Sequence, residues 1–217
     1  MRWPPRHASP SYSFSVELGL FPLGIVLLPT ERVPLHIFEP RYKELIGECL
    51  EDGHEFGLVY ADESGLRDVG TRARVVDLLE EFDDGRMNVI VEGGERFRLL
   101  ELTSGRSFHT GRVEGVDDEP EERAVREATV ALGAFRALAK IVQAEPDEPT
   151  EDSPSLSFEI AARVELDAAP KQQLLELRSE RARLQLVAEL LNAVGRTAVQ
   201  ERELAARASR NGSRLRS

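Results

Sequence analysis

The hydrophobic pattern of the chain changes period once, at the acidic run DDEPEE (117–122). Before that run, apolar residues recur mostly at alternate positions, in short segments separated by turn residues. After it they recur at helical spacing. A chain divided this way predicts an α+β protein, with its strands gathered in one part and its helices in the other. Its 217 residues are enough for one large domain or two small ones. The predicted organisation is a disordered Pro- and Ser-rich leader at 1–13, a β-rich region at 14–116, a helical region at 117–195 and a basic flexible tail at 196–217.

Within the first region, Val33, Leu35 and Ile37 alternate with Pro34, His36 and Phe38, which predicts a strand buried on both faces. It runs into Glu39-Pro40-Arg41-Tyr42. Pro40 suits the first turn of a helix, where its missing N–H costs nothing. Tyr42, Leu45, Ile46, Cys49 and Leu50 then form one apolar stripe, and Asp52-Gly53 ends the helix. Glu39 lies at the positive end of that helix, so the charged corner reads as capping rather than catalysis. Further strands are predicted at 55–60, 71–82, 88–91, 97–102 and 108–116. Asp83-Asp84-Gly85 is a hairpin signal, and Gly93-Gly94 marks a second turn or a bulge.

In the second region Val125, Ala128, Leu132, Phe135, Leu138 and Val142 share a helical face. EPDEPTEDSP (145–154) reads as a linker. Helices are predicted over 156–164, from Pro170 through Leu177, and over 181–194 with Gly195 as the stop. The tail beyond carries six arginines against Glu201 and Glu203.

The net charge of −11 works against binding to nucleic acid or anionic membrane, because only that tail offers a basic run and it lacks interleaved aromatics. The longest apolar run, Leu18 to Leu28, is broken by Pro22 and Gly24 and is far short of the ~20 residues of a membrane helix. A single cysteine, Cys49, rules out an internal disulfide and fits a reducing compartment. A cytoplasmic protein with no membrane partner is the expectation.

Candidate chemistry is sparse. There is no phosphate-binding G-x-x-x-x-G-K-[ST], no G-x-G-x-x-G and no G-x-S-x-G. His54-Glu55 lacks the second histidine of a zinc protease helix, and His36 reads as a hydrogen-bonded core or edge residue. Carboxylates cluster at Glu80-Glu81 and Asp83-Asp84, where acidic residues serve as solvated turn formers. No catalytic, cofactor-binding or metal-ligating residue is assigned.

Three separated blocks carry a resemblance. FPLGIVLLPTERVPLHIFEPRY (21–42) resembles the opening of the Lon protease substrate-binding (N-terminal) domain family, with its F-P-L strand and P-L-x-I-F-E-P-R-Y corner. VGTRARVVDLLEEFDDGRMNVIVEGGERFRLLEL (69–102) resembles that family's next block, and LDAAPKQQLLELRSERARLQLVAELL (166–191) its helical end. The resemblance runs in order over residues 18–194. It implies a PUA-like β pseudo-barrel followed by a C-terminal helical bundle. It also implies a non-catalytic protein-recognition module that binds unfolded or partner polypeptides, and a stand-alone member without the ATPase and peptidase modules of full Lon proteases. Candidate anchors are Phe21, Leu23, Phe38 and Tyr42, where the sheet meets the first helix; the same residues are needed for the core, and the sequence does not separate the two roles. A PUA-like RNA-binding protein and an unrecognised hydrolase are the alternatives.

Overall fold

The computed structural model describes the backbone of residues 15–213 and the side chains of residues 15–204. The leader at 1–13 lies outside the described residues. Seven strands form one mixed sheet: β1 (Val16–Leu23), β2 (Arg32–Ile37), β3 (Phe56–Asp62), β4 (Gly65–Leu66), β5 (Val69–Glu81), β6 (Met87–Thr103) and β7 (His109–Gly115). β1 pairs antiparallel with β7 and parallel with β3, so the path β1–β7–β6–β5–β3 returns to β1. Leu18, Leu20, Val59, Phe97 and Val113 pack together as one cluster of buried side chains from the strands of that circuit. Five helices follow the pattern of the sequence: α1 (Pro40–Asp52) between strands, then α2 (Val125–Val142), α3 (Leu156–Ala161), α4 (Ala168–Glu176) and α5 (Glu180–Ser213). The chain is an α+β protein with strands and helices largely segregated.

α1 begins with Pro40 in its first turn and buries Tyr42, Leu45, Ile46 and Cys49 against the sheet. It ends on Gly53 at φ 67°, a left-handed conformation that costs glycine nothing sterically. The Cys49 thiol is buried, and burial, with a smaller push from Glu48, raises its pKa to about 11. At pH 8 about one thiol in a thousand is then ionised. Native protein should react with a thiol reagent such as iodoacetamide far more slowly than protein in guanidinium. Equal rates in the two states would show that Cys49 is not held in this core.

Several expectations change. β2 is not buried on both faces: Val33 and Leu35 are half-buried and Ile37 buried, but Arg32, Pro34 and His36 face solvent, because β2 pairs only with β6 and is an edge strand. That is where a strand proline is tolerated. Of the two readings of Gly93-Gly94 the bulge holds and the turn does not: β6 continues through the pair, with Gly94 and Glu95 facing the single residue between Thr71 and Ala73 of β5. Gly195 does not stop the last helix; α5 continues to Ser213. A Cβ on Gly195 would lie 3.3 Å from Ile141 Cδ1, so this glycine is where α2 approaches α5. The 145–154 segment lacks regular structure but is pinned: Arg136 pairs with Glu148 at 2.9 Å, and Arg163 donates to the Asp147 carbonyl at 2.9 Å. Val125 and Val142, expected on the buried face of α2, are exposed at its two ends.

The helices bury their apolar faces on one another and on Val26, Leu28 and Val69 of the sheet region. The polar part of this joint is centred on Arg183, which is fully buried. Its guanidinium donates to Asp118 at 2.5 and 2.6 Å, to Glu180 at 2.6 Å, to the Leu177 carbonyl at 2.9 Å and to Ser157 Oγ at 3.0 Å. Arg96 of β6 reaches the same place, donating to the carbonyls of Leu175 and Leu177 at 2.9 and 2.6 Å and pairing with Asp118. Both guanidinium groups also lie over the Phe158 ring. Burial pulls both carboxyls upward. At Asp118 the bonds and charge of Arg183 and Arg96 outweigh it, and its pKa falls below the ordinary aspartate value. At Glu180 burial wins over the bonds from Ser157 and the charge of Arg183, and its pKa rises.

Candidate functional site

β5 pairs with β3 only over Thr71 to Ala73. Beyond that point β5 and β6 run on as a hairpin, with β2 along the other side of β6. Cross-strand partners share a face of the sheet. One face carries Ile37, Met87, Val89 and Val91, which join the α1 cluster. The other carries a polar ladder. Glu92 holds Arg32 at 2.6 Å and also Arg74. His36 Nδ1 lies 2.6 Å from Asn88 Oδ1, and Asn88 Nδ2 donates to Glu80 at 3.0 Å.

The outer end of this hairpin exposes apolar side chains. Phe38, one residue past β2, is 59% exposed. Its ring lies 5.9 Å from that of His36, centroid to centroid, and His36 meets Phe82 edge-on at 6.3 Å. Arg86 lies over Phe82 at 4.9 Å. Along β5 the register slips between Val75 and Asp77 and again between Leu78 and Glu80. The extra residues, Val76 and Leu79, are both exposed, Leu79 at 56%. Bulges of this kind re-aim side chains and blunt an edge against further strand pairing. Exposed aromatic and aliphatic groups beside a polar rim make this end of the hairpin the candidate contact surface.

The four predicted anchors separate. Phe21 and Tyr42 do not face a groove: they are buried, their rings stack at 4.0 Å, and Phe56 packs beside Phe21. The core needs them where β1 meets α1. Leu23, at the end of β1, is half-buried against the same cluster. Phe38 alone of the four is a surface residue. The charged corner beside it is a local pair: Arg41 Nε donates to Glu39 at 3.0 Å, and the Glu39 side chain makes no bond to the start of α1. Sequence reasoning missed His36 and Phe82 as companions of Phe38. The hairpin signal at 83–85 placed Phe82 near the turn, but nothing in the sequence aligned that turn with the end of β2.

An open groove of about 810 Å³ lies elsewhere, between α2, α5 and the segment joining α2 to α4. Phe135, Leu138, Val164, Leu166, Leu190 and Val194 are among its lining residues. Among the described residues no group of His, Cys, Asp and Glu is placed to hold a metal ion, and no helix is long and apolar enough to cross a membrane.

The family of the ATP-dependent protease La (Lon) substrate-binding domain matches residues 17–193, most of the chain and both of its halves. The chain belongs to the Lon substrate-binding domain family. A Lon protease of Anaeromyxobacter dehalogenans is 31% identical over 193 residues, which are 81% of this chain and 23% of that protein. Lon protease 2 of Myxococcus xanthus is 28% identical over the same shares. The chain thus spans about a quarter of the length of these relatives, and the match lies in the Lon N-terminal domain. That domain is non-catalytic, and no catalytic residue passes from it to this chain. Among solved structures, the Lon N-terminal domain protein from Xanthomonas campestris aligns with a TM-score of 0.62 at 24% identity, over 78% of this chain and 95% of that one. The N-terminal domain of Mycobacterium avium complex Lon protease aligns with a TM-score of 0.65 at 16% identity, over 82% and 98%. These two likenesses establish the Lon N-terminal fold.

Proposed function

We propose that this Lon-type domain recognises polypeptides, and that the outer end of the β2–β6–β5 sheet is its contact surface. In this reading the closed strand circuit is a PUA-like pseudo-barrel and the helices a bundle that buttresses it. The observation that carries the proposal is the exposure of Phe38 beside His36 and Phe82, on a hairpin whose opposite face packs Ile37, Met87, Val89 and Val91 into the α1 cluster. Such a surface suits unfolded or locally unfolded segments, which present the apolar side chains that folded proteins hide. Binding works through side chains. Strand addition is disfavoured, because Pro34 interrupts the β2 edge and two bulges interrupt the β5 edge.

Phe38→Ala is the test. An exposed side chain contributes little to folding, so the variant should keep its stability to within about 0.5 kcal/mol. As a central anchor its loss should weaken binding roughly thirtyfold, the equivalent of about 2 kcal/mol. Fluorescence anisotropy with a labelled, permanently unfolded polypeptide reads the second quantity, and thermal melting the first. A stable variant that binds as well as the parent would remove this surface from consideration.

A further inference from the structure

The hairpin that carries the aromatic cluster is also strongly acidic, and the excess is local. Asp77, Glu80, Glu81 and Asp83 are all exposed within seven residues of chain. Among the described residues none of the four stands in an ion pair; the partner of Glu80 is the neutral amide of Asn88. The nearby cations are already engaged. Arg86 pairs with Asp84 at 2.7 Å and covers Phe82, and Lys43 of α1 donates to the Asp84 carbonyl at 2.7 Å. Arg41 is held by Glu39 at 2.8 Å. The end of the hairpin that carries the apolar group therefore has a net excess of negative charge, with Asp77 and Glu80 on the His36 face and Asp83 in the turn.

We propose that this surface selects apolar or aromatic polypeptide segments flanked by lysine or arginine, and rejects segments of the same apolar content flanked by aspartate or glutamate. This rests on the reading of the hairpin end as the polypeptide-binding surface. Phe38 and its neighbours supply the desolvated contact. The surrounding carboxylates supply the discrimination, because a flanking carboxylate brought there meets like charge while an ammonium or guanidinium gains a partner. The same field works against the other occupants of an exposed apolar patch. A second copy docked through this surface would set its own carboxylates against these, and a nucleic acid would bring phosphates to them.

The experiment uses the full chain and two labelled peptides with one shared Phe- and Leu-rich centre. One has two arginines at each end and the other two glutamates. At low ionic strength the arginine-flanked peptide should bind roughly five- to tenfold more tightly, a gap that about 0.5 M salt largely closes. Asp77→Lys/Asp83→Lys should abolish or invert the preference. Glu145→Lys/Glu189→Lys, which makes the same charge change on exposed helical-region sites, should retain most of it. If both peptides bind equally and Phe38→Ala weakens both, the charge preference is wrong while the recognition surface stands. If neither peptide binds, both are wrong. A preference lost in the remote pair and kept in the hairpin pair belongs to the overall charge of the chain, and overturns its assignment to this site.

Discussion

Arg183→Ala lowers the melting temperature by on the order of 10 °C, the expected outcome of about 3–5 kcal/mol lost at roughly 2–4 °C per kcal/mol for a chain of this size. The loss exceeds that of an ordinary ion pair because the guanidinium is wholly buried and its partners remain. Asp118 keeps only Arg96, Glu180 keeps only Ser157, and the Leu177 carbonyl loses one of its donors. The pH dependence follows from the two carboxyls. In the parent, the contribution of Asp118 is present above the unfolded aspartate pKa and is lost as the pH falls through its lowered folded value. Glu180 acts in the opposite sense, costing stability as the pH rises through its raised value. Removing Arg183 pushes both carboxyls upward. The deficit of the variant is then largest at neutral pH and shrinks in acid, where protonation relieves the buried charge. Melting curves of parent and variant from pH 4 to pH 8 measure this. A deficit that stayed constant across the range would mean that the loss comes from packing alone, and an unchanged melting temperature would mean that the cluster does not hold the helices to the sheet.

The second large effect separates two adjacent glycines. A Cβ on Gly93 would stand 2.1 Å from the Leu28 carbonyl oxygen. That oxygen cannot retreat cheaply, because the loop before β2 is tied to the same residue. Thr30 N–H donates to the Gly93 carbonyl at 2.8 Å, and Gly93 N–H donates to the Glu31 carbonyl at 2.9 Å. Glu31 in turn accepts from the Leu28 N–H at 2.9 Å and pairs with Lys171 of α4. Gly93→Ala must push main chain against main chain, at a cost of about 3 kcal/mol or more. On Gly94 the nearest atom to a Cβ is the Arg72 carbonyl oxygen at 3.4 Å, an ordinary contact. Gly94→Ala should therefore fall within about 1 kcal/mol of the parent. Denaturant unfolding of the two variants side by side decides the matter, and comparable midpoints would contradict the close approach at Gly93.

These two sites show what could be read in advance and what could not. The Gly93-Gly94 pair was visible as an interruption, and a bulge was among its two readings. Which glycine carries the constraint depends on Leu28, which is distant in sequence. The bounds of α1 were legible to the residue, because Pro40 and Gly53 are local signals, but Leu50, expected on its apolar stripe, is exposed. α2 was legible apart from its ends, where Val125 and Val142 lie beyond the face that α5 covers. Gly195 misled for a physical reason: glycine both ends helices and lets them approach, and only the position of Ile141 distinguishes the two. Asp118 is one of several acids in DDEPEE, and nothing local announces that it closes on Arg183 and Arg96. At the candidate site Phe38 was chosen, but together with two residues that the core required. Burial is decided across strands, and periodicity along one strand does not report it.

The closed strand circuit also sets an order of events during synthesis. β1 can find its parallel partner once β3 has been made, with Leu20 opposite Gly57. Its other edge stays open until β7 arrives to set Val113 opposite Val16. Until then a nascent chain carries an unsatisfied first strand, and the buried Phe97 ring lacks its full surroundings. Pairings this far apart in sequence are slow to form and leave edges open to other chains in the meantime. The helices cannot shorten that interval, because Leu175 and Leu177, whose carbonyls hold Arg96 of β6, are translated later still. The risk of misassembly in this protein is therefore concentrated in the time between the third strand and the seventh.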